Sequence, residues 1–339
     1  MKAAVLREFK NPLSIEDVEK PIPASDEVLI QVEACGSCHS DVHVADGDWT
    51  QLKKIVKQPL IPGHEIAGRV VEVGSAVRDL GVGDRVGVPW IHWSCGECEF
   101  CKSGHENLCN RQKITGVTVD GGYAEFLKAP STHALKIPDD LSSVEAAPLF
   151  CAGVTVYRAL KKAGPLAGRR LAVFGIGGLG HLAVQIGRVF GAEVTAIDIS
   201  DDKLELAKGL GASHTINART SDVVKDLRHR GGIHVCLVSS AAKAAYDTAF
   251  YCLRPSGILL VVGLPAENIC FPPILMAAGE IRIQASTVGT RTDLQEILSL
   301  AAAGKVRCQT TARPLSQVNE VLDELRRGQA TGRLVLLPD

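Results

Sequence analysis

No apolar run in this 339-residue chain approaches the length of a bilayer-spanning segment, which argues against a helical membrane protein. Charge of one sign is also missing. Lys and Arg number 37 against 38 Asp and Glu, a formal net charge of −1, so the broad basic footprint of a nucleic-acid binder is not expected. Aromatic residues are only 4% of the chain, with three tryptophans, which leaves few indoles to shape a pocket. Internal repeats and low-complexity segments are not found, which excludes solenoids and flexible arrays. The opening stretch, MKAAVLREFKNPLSIEDVEK, is charged early and alternates like a strand. It lacks the apolar stretch and small-residue cleavage site of a secretory signal, so the expected location is cytoplasmic.

What the chain does have is length, apolar content and cysteine. Its 339 residues exceed one ordinary core and suggest two domains, and 46% hydrophobic residues fit well-packed ones. The first 150 residues are rich in glycine, proline and short alternating runs. VLIQVEACG, IAGRVVEVGSAV and GDRVGVPW read as strands broken by turns, hence an irregular, mostly β domain. The pattern changes near residue 153. RRLAVFGIG, EVTAIDIS, HVCLVSS, GILLVVGL and IRIQASTVG read as strands. GLGHLAVQIGRVFG, DDKLELAKGLG and the stretch around AAYDTAFYCL read as helices between them. That alternation predicts a doubly wound parallel sheet covered on both faces. The tail, with a helix near TDLQEILSLAAAG and a strand at GRLVLLP, need not join that sheet.

Eleven cysteines in a chain of this kind point to metal or redox chemistry rather than disulfides. Cys95, Cys98, Cys101 and Cys109 follow the spacing C-x2-C-x2-C-x7-C. Four thiolates so spaced can close a tetrahedral zinc site with no open position, which makes the site structural. Iron–sulfur clusters also use close cysteines, but no proline follows Cys109 and no second cluster is present, so closed zinc is favoured. His105, inside this lobe, is expected at the surface. Cys236, Cys252, Cys270 and Cys308 sit in apolar surroundings and read as small buried hydrophobes.

FGIGGLG supplies Gly175, Gly177 and Gly180 in the arrangement G-x-G-x-x-G, after an apolar strand and at the start of a helix. That context lets backbone approach a pyrophosphate at a helix N-terminus. Asp198 ends the next strand, where a carboxylate would bond ribose hydroxyls and repel a 2′-phosphate. NAD is therefore expected over NADP. Lys203, five residues on, can reach the same ribose, and Gly178, Leu179 and Val262 complete the expected coenzyme-facing set.

The stretch CGSCHSDVH, residues 35 to 43, packs two cysteines, two histidines, two serines and an aspartate into one short turn. Taken singly, Cys38 could be a buried thiol and His64 a satisfied core histidine. Taken with IPGHEIAG and PLFCAGVT, they offer Cys38, His64 and Cys151: two thiolates and one imidazole, with a fourth position left open, the catalytic form of zinc.

Together these segments resemble the zinc-containing medium-chain alcohol dehydrogenases, especially the bacterial and yeast-like NAD-dependent branch. The resemblance runs nearly end to end, through CGSCHSDVH, GDW, GHEIAGRVVEVG, GDRVGVPW, CGECEFCKSGHENLC, FCAGVTVY, FGIGGLG and GRLVLL in that order. It implies a GroES-like β-rich catalytic domain over 1–152 with a zinc lobe at 95–109, a Rossmann domain over 153–286, and a return to the catalytic domain over 287–339. It further implies two zinc ions per subunit. Cys38, His64 and Cys151 would hold the catalytic one, with Glu65 as a nearby carboxylate able to replace water and Asp41 orienting the histidine ligand. Ser40 and His43 match the proton relay, while His39 and Arg333 match contacts to the coenzyme pyrophosphate. Trp49 and Trp90 match positions that narrow the substrate pocket, although indoles can equally fill a core. The implied activity is reversible oxidation of short primary alcohols to aldehydes by hydride transfer to NAD, in a homo-oligomer with the tetramer favoured. The rivals are a polyol or other secondary-alcohol dehydrogenase of the same superfamily and a non-catalytic nucleotide-binding relative.

Overall fold

The long strand Glu27–Ser37 organises the first half of the chain. Its apolar residues Val28, Ile30 and Val32 are buried in one core with Ile66, Val70, Val86 and Leu127. On one edge it pairs antiparallel with Glu65–Val73. On the other it pairs with Phe126–Pro130 near its start and Arg333–Leu337 near its end. Sheet order is Thr310–Pro314, Arg333–Leu337, Glu27–Ser37, Glu65–Val73, Arg85–Val88, Leu135–Lys136. The register sets the site. Gly36 faces Glu65 on one side and Val335 on the other, and Ser37 faces Leu334. The end of the long strand therefore lies between the starts of two antiparallel neighbours.

The structure is a computed structural model that describes residues 1–265 and 267–339, apart from the side chain of Gln51. The chain divides into two compact units. One comprises Met1–Val154, Val288–Gly304 and Cys308–Asp339; the other comprises Thr155–Thr287 and Lys305–Arg307.

In the first unit the tail is part of the sheet core. The helix Val318–Arg326 buries Val318, Val321, Leu322 and Leu325, spaced along one face, in the same apolar cluster as the strands. Its Arg326 reaches Asp46 through Nε at 3.1 Å and Nη2 at 2.7 Å, which ties it to the helix His39–Asp46. The 35–43 stretch is thus no short turn. It is the end of a strand, an extended Cys38, and a two-turn helix closed by left-handed Gly47.

In the second unit six parallel strands run in the order His214–Asn217, Glu193–Asp198, Arg170–Phe174, Ile233–Val238, Leu253–Val261, Arg282–Ala285. With the right-handed connection usual for parallel strands, this order places Gly180–Val189 and Asp201–Gly209 on one face and Lys243–Cys252 on the other. The order reverses between Arg170–Phe174 and Ile233–Val238, so a crevice opens past their carboxyl ends. The strand His214–Asn217 and the helix Val223–His229 escape the alternation seen in the sequence. Both are short, and only Ile216, Val223 and Leu227 carry a buried apolar face. One expectation fails: Cys236, Cys252 and Cys308 are buried, but Cys270 is exposed, because its neighbours Ile269 and Phe271 pack against the core and leave the residue between them facing solvent.

Candidate functional site

Two groups of metal-ligating side chains form among the described residues, both in the first unit. The first joins Cys38, His64, Glu65 and Cys151, all buried, with candidate ligand atoms within 4.8 Å of one another. Cys38 follows the long strand as the N-cap of the helix His39–Asp46. His64 and Glu65 open the strand's neighbour. Cys151 follows the 3-10 turn Ala147–Phe150, whose Phe150 seats on the sheet because residue 87 is glycine: a Cβ there would lie 2.2 Å from the Phe150 ring. These elements lie far apart in sequence and meet only through sheet pairing and packing.

The protonation of this group follows from its hydrogen bonds. Asp41 is 1% exposed and surrounded by donors. Its Oδ2 accepts the Cys38 N–H at 2.8 Å and the Tyr123 hydroxyl at 3.0 Å; its Oδ1 accepts the Gly63 N–H at 3.3 Å and lies 3.0 Å from His64 Nδ1. A carboxylate so placed makes Nδ1 the protonated nitrogen, which leaves a lone pair on Nε2. That Nε2 is buried without a hydrogen-bond partner, an arrangement costly in a protein core unless a cation takes the lone pair. The sulfurs give the same message. The bond from Cys151 holds the Cys38 thiol well below its ordinary value, against burial and with help from Arg333 and His64, while that bond and burial push Cys151 well up. Two adjacent thiols ionise together only when a cation offsets their repulsion. Burial opposes charge on His64, but the Asp41 carboxylate and Cys38 outweigh it and push the group up, so the pocket favours a positive charge at Nε2, supplied by a proton or, in its place, by a metal ion. Two soft sulfurs and an imidazole lone pair fit zinc.

Glu65 is fully buried and paired with Arg333, itself 5% exposed. Burial pushes the Glu65 carboxyl up to about 7, with the Arg333 guanidinium pulling the other way. Its Oε2 has no partner. Space for that oxygen comes from Gly36, where a Cβ would sit 2.0 Å from it. Arg333, expected at a pyrophosphate, also pairs with this carboxylate among the metal ligands.

The remaining sequence candidates gather here. The Ser40 hydroxyl lies 3.6 Å from Cys38 Sγ. His43, one turn on along the helix, meets the Asp48 carboxylate through Nδ1 at 2.9 Å and stacks on Trp49 with centroids 4.5 Å apart. His39 is exposed at the helix start, its ring 5.7 Å from that of His43. Trp90 stands edge-on to His64 at 4.8 Å. Tyr123, Gly36 and Gly63 were not singled out in the sequence; their signal is the glycine-rich DGGY beside PGHE, which shows its meaning only once the two segments touch. A cavity of about 750 Å³ on the same unit, lined among others by Val5, Val18, His92, Trp93 and Phe126, includes none of the metal-ligating residues. Donor chemistry, not cavity size, locates the site.

The second group, Cys95, Cys98, Cys101 and Cys109, is a different object. All four lie in one short loop, and only Cys109 is buried. The Cys98 N–H donates to Cys95 Sγ at 3.3 Å, and the Glu97 backbone N–H is the main influence holding the Cys95 thiol down to about 6. His105 is exposed. Glu106 anchors the loop by accepting the Arg291 backbone N–H at 2.9 Å and its Nε at 3.3 Å.

In the second unit the glycine loop joins the strand Arg170–Phe174 to the helix Gly180–Val189. Gly175 has φ +90°. A Cβ on Gly180 would lie 1.8 Å from the Gly175 carbonyl oxygen, so helix and strand touch only through glycine. A Cβ on Gly177 would meet nothing within 4 Å, leaving the open space that a close-approaching phosphate needs. Gly178 and Leu179 complete the turn, with Leu179 as the helix N-cap. Asp198 ends its strand and accepts the N–H groups of Ile176, Ile199 and Ser200 at 2.6, 2.7 and 3.0 Å. Those bonds fix the carboxylate beside the glycine loop. Lys203 lies in the following helix, and Val262 is buried just past the strand Leu253–Val261.

Two family models match the chain: the alcohol dehydrogenase GroES-like domain over residues 24–139 and the zinc-binding dehydrogenase over 178–303. An alcohol dehydrogenase of Geobacillus stearothermophilus is 48% identical over 340 residues, covering 100% of both chains. The crystal structure of the alcohol dehydrogenase of Aeropyrum pernix superposes with a TM-score of 0.93 at 37% identity, again covering 100% of both chains. An acetophenone reductase of Geotrichum candidum, solved with NAD, gives 0.90 at 30% identity over 99% of this chain and 96% of that one. With its two cysteine groups, its parallel sheet and these relatives along its full length, the chain belongs to the NAD-dependent, zinc-containing medium-chain alcohol dehydrogenases.

Proposed function

We propose that the protein catalyses the reversible oxidation of short primary alcohols to aldehydes, with NAD as hydride acceptor and two zinc ions per subunit. The observation that carries the reading is the buried group of Cys38, His64 and Cys151, with its unpartnered imidazole nitrogen and its two adjacent thiols. In this reading those three residues hold the catalytic zinc, and Cys95, Cys98, Cys101 and Cys109 hold the structural one. When bound, zinc supplies a Lewis acid for an alcohol or carbonyl oxygen and NAD accepts the hydride. The chain's own residues do the rest. Ser40 sits within reach of the Cys38 sulfur and can take a proton from a neighbouring hydroxyl. His43, steadied by Asp48 and Trp49, can carry it outward, because an imidazole can accept a proton at one ring nitrogen and release one from the other. Asp41 orients His64, and Glu65 with Arg333 sets the charge behind the ligands. Gly175, Gly177, Gly178, Leu179 and Gly180 would cradle the pyrophosphate, and the family resemblance assigns His39 and Arg333 contacts to it as well. Asp198, supported by Lys203, bonds the ribose and disfavours a 2′-phosphate, and Val262 packs near the coenzyme.

Trp90 beside His64 and Trp49 beside His43 support a small substrate, since an indole next to each group leaves little width for branching. An NAD-reduction assay across straight, branched, secondary and polyhydric alcohols tests this. Highest turnover on short primary alcohols is expected. A steep rise toward polyols or bulky secondary alcohols would replace the reading with the related polyol or ketone chemistry. Trp49→Ala should raise the relative rate on longer or branched alcohols by about 10-fold, the worth of one or two methylenes of pocket space. An unchanged profile would remove Trp49 from the pocket.

Self-association is part of the same proposal. Arg282–Ala285 is an edge strand, and the adjoining helix Pro273–Gly279 leaves Ile274 75% and Leu275 45% exposed, surface that pairing with a second copy would cover. These features support a homo-oligomer, and the family resemblance favours the tetramer. No described helix is long and apolar enough to cross a membrane, and the proposed setting is the cytoplasm.

A further inference from the structure

We infer that Tyr123 is a positioning residue for the metal centre. Its hydroxyl holds Asp41 in the orientation that turns the free nitrogen of His64 toward a bound cation. The inference rests on the zinc reading of Cys38, His64 and Cys151.

Tyr123 is fully buried, and its place is fixed by main chain before its hydroxyl is considered. The segment 121–123 is laid along 61–63. The Gly121 N–H donates to Ile61 O at 2.6 Å, the Gly122 N–H to Gly63 O at 2.9 Å and the Tyr123 N–H to Pro62 O at 3.0 Å. This contact requires glycine. A Cβ on Gly121 would lie 2.1 Å from Gly63 O, and one on Gly122 would lie 2.2 Å from Ile66 Cγ1. The ring then fills the place a side chain on Gly63 would occupy, since a Cβ there would lie 2.5 Å from Tyr123 Cδ1, and Gly63 has φ +93°. A further bond from the Ala4 N–H to Tyr123 O at 2.8 Å holds the other side.

A ring so confined leaves its hydroxyl little freedom, and it points at Asp41 Oδ2 from 3.0 Å. Of the four donors around Asp41, two are backbone N–H groups and one is His64 itself. Tyr123 is the only one that can be removed without moving the main chain or touching a metal ligand. Removing it leaves Oδ2 with the Cys38 N–H alone, and the carboxylate gains freedom to rotate away from His64 Nδ1. Groups that orient a metal ligand in this way commonly change metal retention by 10- to 100-fold. A tyrosine that merely filled the core would change stability but not metal retention.

The test is chelator-driven zinc release from the holoenzyme, followed separately for the two sites, with the buried site identified as the zinc missing from Cys38→Ser. Tyr123→Phe keeps the ring and removes only the hydroxyl. It should release the buried zinc about 10-fold faster or more, leave the lobe zinc at the parental rate, and shift the visible absorption of cobalt substituted at the buried site. Tyr246→Phe, which removes a buried hydroxyl bonded to the Gly263 carbonyl, serves as the matched control and should change neither rate. Parental release and an unchanged cobalt spectrum in Tyr123→Phe would overturn the inference. So would equal acceleration at both sites, which marks a fold-wide effect. A parent enzyme with no zinc at the buried site would instead overturn the zinc reading.

Discussion

The two cysteine groups use the same ligand chemistry in opposite ways. Cys95, Cys98, Cys101 and Cys109 belong to one loop, mostly accessible to solvent, and the loop has little apolar core of its own. There the metal would supply the fold. Cys38, His64 and Cys151 are buried and arrive from three distant segments, positioned by a seven-stranded sheet with a large apolar core of its own. There the fold supplies the geometry. The surroundings follow suit. The lobe is fastened by peripheral links such as Glu106–Arg291. The buried group is enclosed by Asp41, Tyr123, Glu65 and Arg333, which fix ligand orientation and local charge. A site that does chemistry needs this surrounding order; a site that only staples a loop does not.

Four substitutions put that contrast under strain. Cys38→Ser should lower turnover by about 10³-fold or more, the rate equivalent of losing several kcal/mol of Lewis-acid stabilisation, while circular dichroism and melting stay near the parent. Near-normal turnover would remove the distinction between the sites. Cys98→Ser should do the reverse, lowering the melting temperature by roughly 2–4 °C for each kcal/mol of lobe stability lost while folded molecules keep their activity. A large loss of turnover with unchanged melting would contradict it. Gly36→Ala, which drives a methyl against Glu65 Oε2, should cost about 1–3 kcal/mol and disturb activity as well, because the carboxylate must move among the metal ligands. Parental stability and rate would mean that Glu65 relocates freely. Arg111→Gln, which breaks an exposed pair with Glu97 at 2.6 Å, should leave the denaturation midpoint close to the parent and turnover unchanged. A larger effect in chemical denaturation would show the lobe to be more tightly coupled than its exposure implies.

The same contrast governs how far the sequence could be read. The lobe is local: four cysteines at fixed spacing state their purpose without any fold. The glycine loop is local too, and so are the strands whose apolar runs flank it. The buried group gathered from Cys38, His64 and Cys151 was legible only because each ligand sits in its own recognisable segment. Its supports were not. The pairing of Glu65 with Arg333 depends on two strands meeting across Glu27–Ser37, a register that no short motif encodes. Tyr123 reads as an ordinary core aromatic until DGGY lies against PGHE. The helix from His39 hid behind its polar residues, whose buried faces appear only when Val42, Val44 and Ala45 pack under Val318–Arg326. Cys270 misled because its apolar neighbours Ile269 and Phe271 reach the core while the residue between them faces outward.

Zinc content measured beside NAD reduction, as metal is progressively stripped from the purified protein, tests the central claim most directly. Two zinc ions per chain at the outset, with turnover vanishing in step with loss of the one that Cys38→Ser lacks, is the predicted result. Full turnover in protein that holds no zinc would contradict it.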